Sequence, residues 1–113
     1  MSGRRSRQKG KVGERELAEL FNKHGWPARR GQQFAGGSES ADVRLLCPLP
    51  IHVECKRAER VNWRAAMRQA EGDTGPMNEP VVFERRNGED WYCHLSAESL
   101  FRLIKWAGDI AGG

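Results

Sequence analysis

Ile51-His52-Val53-Glu54-Cys55-Lys56-Arg57 is the stretch that decides how this chain is built. Ile51, Val53 and Cys55 alternate with His52, Glu54 and Lys56, and a period of two is that of a β-strand. The apolar trio faces a core, and Glu54 and Lys56 share the opposite face. A carboxylate and an ammonium side by side at the end of an apolar strand need an explanation. Taken alone, Glu-x-Lys reads as a salt bridge on a solvated face.

Asp42 changes that reading. Ala41 to Leu46 forms a second strand, joined to the first by Cys47-Pro48-Leu49-Pro50, whose prolines stay out of the hydrogen-bond ladder. An odd connection of three or five residues would set Asp42 on the same face as Glu54 or Lys56; an even one would turn it away. With the odd connection, two carboxylates converge at one end of a hairpin with a lysine beside them. Such carboxylates repel, and at least one pKa rises unless a cation lies between them. Hard oxygen ligands of this kind suit Mg²⁺ or Mn²⁺, ions that keep several waters and also bind phosphate oxygens.

The segments on either side frame this site. Leu17, Leu20, Phe21 and His24 recur at three- and four-residue spacing, so a helix is expected from about Lys11 to His24, stopped by Gly25 and Pro27. Glu14 lies at the edge of its inward stripe, either as a boundary residue reaching water or as a contributor to the site. A short strand after Trp26 runs through Arg30, followed by the glycine-rich residues 31–40. That segment lacks a Gly-Lys-Ser/Thr ending, so it is no nucleoside-triphosphate loop. Asn62 to Glu71 reads as a helix with Trp63, Ala66, Met67 and Ala70 on one face and Arg64 and Arg68 away from it; Gln69 sits at the stripe's other edge. Pro80 to Arg86 and Trp91 to Leu95 form a second hairpin across Asn87-Gly88-Glu89-Asp90. Ser96 is the expected N-cap of a last helix, with Leu100, Leu103, Ile104 and Ala107 inward and Gly108 at its end. Trp91, Phe101 and Trp106 read as core or subunit contacts rather than base-stacking platforms.

The 113 residues amount to one domain, with nineteen basic against fifteen acidic side chains. Arg4, Arg5, Arg7, Lys9 and Lys11 fall in residues 1–11 with no acid among them. The remaining fourteen basic residues face fifteen acids, so the domain itself is near neutral at −1. Residues 1–10 are expected to be a flexible basic arm, residues 11–108 the folded domain and 109–113 a tail. Each lysine or arginine contact to a phosphate releases counterions, and the arm is read as a nucleic-acid contact. No apolar run has the length of a membrane span, and the N-terminus lacks a secretory signal's apolar core. Three widely spaced cysteines and three scattered histidines indicate neither a disulfide framework nor a zinc site, and reduced thiols fit a cytoplasmic protein.

In order, these are a helix with Glu14, a strand with Asp42, a strand with Glu54-Cys55-Lys56, and a helix. The pattern resembles the PD-(D/E)XK nuclease superfamily. Gly10-Lys11-Val12-Gly13-Glu14-Arg15-Glu16-Leu17, His24-Gly25-Trp26, Arg29-Arg30 and Gly37-Ser38 are similar to archaeal-type Holliday-junction resolvases. Ala41-Asp42-Val43, Val53-Glu54-Cys55-Lys56-Arg57 and Arg68-Gln69-Ala70-Glu71-Gly72 extend the similarity over roughly residues 8–105. Where the superfamily has a proline before its aspartate, Ala41 stands here. The resemblance implies an α/β, single-domain nuclease-like fold, with a central mixed sheet of about five strands flanked by helices. It implies a homodimeric, Mg²⁺-dependent endonuclease that resolves four-way DNA junctions by paired cuts, leaving 5′-phosphate and 3′-hydroxyl ends. Glu14, Asp42, Glu54 and Lys56 would be catalytic. Asp42, Glu54, the Cys55 carbonyl and Glu14 would hold the metal. Arg15, Arg30 and Ser38 would support the scissile phosphate or the DNA. Apart from the resemblance, Arg57, Arg60, Arg64 and Arg68 read either as a solvated basic face or as a face for a phosphate backbone, and Lys11 belongs with the basic arm.

Size bears on substrate as well. Reading a base sequence needs an element that enters a groove, and a catalytic core of 113 residues leaves none to spare. Recognition of backbone geometry through arginine and lysine remains. The rival expectations are a nuclease of the same superfamily acting on flaps, nicked DNA or duplex ends, a nuclease acting on RNA, and a DNA-binding module whose acids are structural.

Overall fold

The computed structural model describes residues 2–31 and 41–112, with side chains from residue 10 onward. Its elements are α1 (Ser2–Lys23), β1 (Ala28–Arg30), β2 (Val43–Leu45), β3 (Ile51–Arg57), α2 (Trp63–Asp73), β4 (Glu79–Arg85), β5 (Tyr92–His94) and α3 (Ala97–Gly112). The five strands form one mixed sheet in the order β1-β2-β3-β4-β5. β3 pairs antiparallel with β2 and parallel with β4, and α2 makes the crossover that a parallel pair requires. The described residues are therefore α/β, with a five-stranded mixed sheet and three helices.

β3 lies at the centre and is covered on both faces. Val53 and Cys55 join Leu17, Ala18 and Phe21 of α1 with Val43 in one core cluster. Ala66, Met67 and Ala70 of α2 form a second cluster with Val82 of β4. The α2 stripe is the one expected from the sequence, and Asn62 caps the helix by accepting a hydrogen bond from the Ala65 amide at 3.1 Å. Enclosure by α1 and α2 explains why His52 and Glu54, on the polar side of the strand's alternation, are buried as deeply as Val53.

Two helix boundaries and the setting of one helix differ from expectation. α1 begins at Ser2 rather than near Lys11, so the basic segment continues the helix backward. No proline interrupts it, and arginine, glutamine and lysine are good helix formers that offset Gly3 and Gly10, each costing about 1 kcal/mol. α3 runs past Gly108 to Gly112 for the same lack of a breaker. It is also rotated from the expected orientation. Ser99 is its buried residue, while Leu100, Phe101 and Ile104 are exposed. The rotation has a local cause: Ser99 Oγ donates to Glu79 Oε1 at 2.8 Å, and Arg102 donates to both Glu79 oxygens at 2.8 and 3.0 Å. Together they fasten the helix to β4 by its polar side. The N-cap is as read, with the Ser99 amide donating to Ser96 Oγ at 3.1 Å.

Candidate functional site

The connection between β2 and β3 has five residues, the odd length that keeps Asp42 on the side of Glu54. Val43 pairs with Val53, and extending that register by one places Asp42 opposite Glu54. Both acids are buried, 6% and 3% exposed. Asp42 Oδ2 accepts a hydrogen bond from the Cys55 amide at 2.8 Å, so the backbone of β3 fixes the carboxylate in place. The two carboxyl groups are close enough that the charge of Asp42 acts directly on Glu54. Lys56 Nζ stands 3.9 Å from Glu54 Oε2, with its side chain 40% exposed.

Burial, first, and the charge of Asp42, second, push the Glu54 carboxyl up to about 8 against the opposing pull of Lys56. Without a bound cation, the pair therefore holds a proton at neutral pH. The Cys55 thiol is raised by burial and then by the surrounding charges of Asp42, Glu14 and Glu54, which leaves it neutral and a poor nucleophile.

Glu14 departs from the expected three-acid cluster. Its Oε1 accepts a hydrogen bond from Arg30 Nε at 2.8 Å, an ion pair between α1 and β1. Burial raises its pKa, the Arg30 hydrogen bond counters this, and Asp42 adds to the rise. Among the described residues, no three His, Cys, Asp or Glu side chains are grouped to hold a metal ion. The acids resolve into an interacting pair, Asp42 and Glu54, and a third held by arginine. The carboxylate that reaches across from α1 takes the nearest full cation.

The basic residues divide similarly. Lys11, Arg15 and Arg68 are exposed. Arg64 is exposed and lies over the Trp63 ring, 4.7 Å from its centroid, and that ring stacks on His94 at 4.5 Å. Arg57 is not free to meet DNA. Its guanidinium bonds Glu16 Oε1 at 3.3 Å and Asn87 Oδ1 at 2.6 Å, and Arg85 joins the same Glu16 oxygen at 3.2 Å. Arg57 thus ties α1 to the end of β3 and to the β4–β5 turn. Gly13 makes this closeness possible, because a Cβ there would overlap the Cβ of Arg57. Ser38 and the side chains of Arg4, Arg5, Arg7 and Lys9 lie outside the described residues.

Sequence reasoning missed the roles of Glu16, Arg85 and His52. His52 is 2% exposed, and its Nε2 has no hydrogen-bond partner among the described residues. Burial lowers its pKa despite the opposing charges of Asp73 and Asp42, which keeps the ring neutral. Its alternation with Glu54 and Lys56 was the available signal. Beside Lys56, a cleft of ≈ 270 Å³ opens between the end of β3 and α2. Comparison with protein-family models, with curated proteins and with solved structures finds no match.

Proposed function

We propose that this chain is a divalent-metal-dependent DNA endonuclease of the PD-(D/E)XK type, selective for four-way junctions. One observation carries the reading. A strand and its hairpin partner bring two buried, mutually interacting carboxyl groups together, with a lysine ammonium 3.9 Å from one of them. A shared proton in a desolvated acid pair occupies a position that a hard divalent ion can take, and Mg²⁺ needs only one or two carboxylates with its waters. The donor set therefore fits, with Asp42 and Glu54 as the ligands.

When bound, Mg²⁺ supplies Lewis-acid polarisation of the phosphodiester and a more acidic water. The protein's own groups do the rest. The Cys55 amide holds Asp42 rigid. Lys56, whose side chain is 40% exposed, neutralises the charge that grows on the phosphate oxygens during hydrolysis. Arg30 holds Glu14 in an ion pair beside the two acids and is itself 38% exposed, open to a neighbouring phosphate. Lys11, Arg15, Arg64 and Arg68 add exposed charge that engages backbone geometry.

A second copy of the chain completes the proposal. Leu100, Phe101 and Ile104 leave apolar area uncovered on one side of α3, and Tyr92 of β5 is exposed as well. A two-fold dimer through that side would present two sites to a two-fold junction. The test is cleavage of four-way, flap and linear DNA with Mg²⁺. The junction should be cut fastest; equal cleavage of linear duplex would overturn the junction assignment. Absence of cleavage on every substrate would leave a binding module.

A further inference from the structure

The cleft beside Lys56 lies outside the acid pair yet shares a residue with it. Lys56 and Arg60 bring positive charge to its lining, and among the described residues no acid lines it. Asn62 and Gln69 add carboxamides, and Ala65 and Ala66 of α2 keep the wall low enough to leave ≈ 270 Å³ of space. Asn62 Oδ1 is committed to the Ala65 amide, which leaves its NH₂ group to donate. An apolar wall edged by amides suits a nucleobase, and the two cations suit a phosphate. The volume is below that of a drug-sized site, so the cleft takes one nucleotide and not a duplex end.

We infer that this cleft is a subsite for a single unstacked nucleotide of the DNA strand, adjoining the bond to be cut. The inference rests on the endonuclease reading above. Lys56 links the two places, with its ammonium 3.9 Å from Glu54 and its side chain in the cleft lining. A base enters only after leaving the helical stack, and the energy required falls where stacking is interrupted, as at a branch point. The cleft thereby favours branched DNA without any base-reading element. Trp63 is engaged by His94 and Arg64, and the amide-edged cleft takes the base instead.

Two measurements test this. In the first, the full chain without divalent metal is titrated with deoxyadenosine 5′-monophosphate, with inorganic phosphate and with deoxyadenosine, and its amide resonances are followed. The nucleotide should shift Ala65, Ala66 and Gln69, and Ala65→Trp, which fills the cleft from an exposed helix position, should weaken that binding at least tenfold. Identical shifts from phosphate alone, or in Ala65→Trp, overturn the subsite. In the second, 2-aminopurine is stepped through the branch point of a junction bound to Asp42→Asn protein. Fluorescence should rise at one position and stay low when Ala65→Trp is added; a rise at none, or a rise that persists, also overturns it. A chain that cuts junctions but fails both tests keeps its activity and loses the subsite. A chain that cuts no DNA removes both.

Discussion

At Glu54, loss of water outweighs the attraction of Lys56, because the carboxylate is 4% exposed while the ammonium is 40% exposed and still hydrated. The folded-state pKa of about 8 lies above the ordinary 4.5, so the folded chain binds the extra proton between those values. The stabilisation is fully present below pH 4.5 and is lost as pH rises through about 8. Thermal unfolding without divalent cations should therefore show a midpoint that falls across this window, and Glu54→Gln should flatten the fall. Mg²⁺ must displace the proton to bind, so it should raise the midpoint more above pH 8 than below it. Catalysis gives the complementary prediction. Asp42→Asn should reduce junction cleavage by orders of magnitude while junction binding survives, tightened by the lost repulsion; retained cleavage would remove the proposed ligand. Glu54 and Lys56 were legible from the period of two. The side taken by Asp42 was not, because the sequence leaves the connection odd or even, and only the end of β2 at Leu45 decides it. The ion pair of Glu14 with Arg30 was not legible either, since it depends on how α1 lies across β1, and no local pattern encodes that crossing.

The close passage of α1 over β3 belongs to the next scale. Gly13 is buried against Arg57, and Glu16, one turn on, holds Arg57 and Arg85 together. Gly13→Val should therefore push the helix off the sheet. A cost of about 1–3 kcal/mol is usual for such overpacking, enough to lower the unfolding midpoint by several degrees. Denaturant titration would check it, and an unchanged midpoint concentration would mean that α1 relaxes freely. The sequence shows Leu17, Phe21, Met67 and Ala70 as core residues because each repeats at helical spacing. It does not show that Glu16 is a clamp, since a glutamate on a polar helix face looks the same with or without arginines opposite. Helix ends were legible only where a cap or breaker stands, as at Asn62, Ser96 and Gly25. Where none does, as in residues 2–10 and beyond Gly108, the helix continues.

At the scale of the molecule, α3 presents its apolar side outward while Ser99 and Arg102 hold its polar side to Glu79. Leu100, Phe101 and Ile104 lie within little more than one turn, and Ile110 follows at 62% exposure. Periodicity reveals such a stripe but not whether it turns toward the chain's own sheet or toward another molecule; the Glu79 contacts decide that here. A stable dimer buries about 800 Å² per partner, with apolar side chains at its centre. Paired Phe101→Glu and Ile104→Glu changes should convert a dimer to a monomer in sedimentation velocity and leave the circular dichroism spectrum unaltered, because neither side chain fills the core. The monomer would still place Asp42, Glu54 and Lys56 together within one chain. It should therefore nick a junction on one strand and lose the paired second cut. A wild-type chain that sediments as a monomer, or a double variant that still cuts both strands in one encounter, would show that the apolar side of α3 serves something other than a second copy.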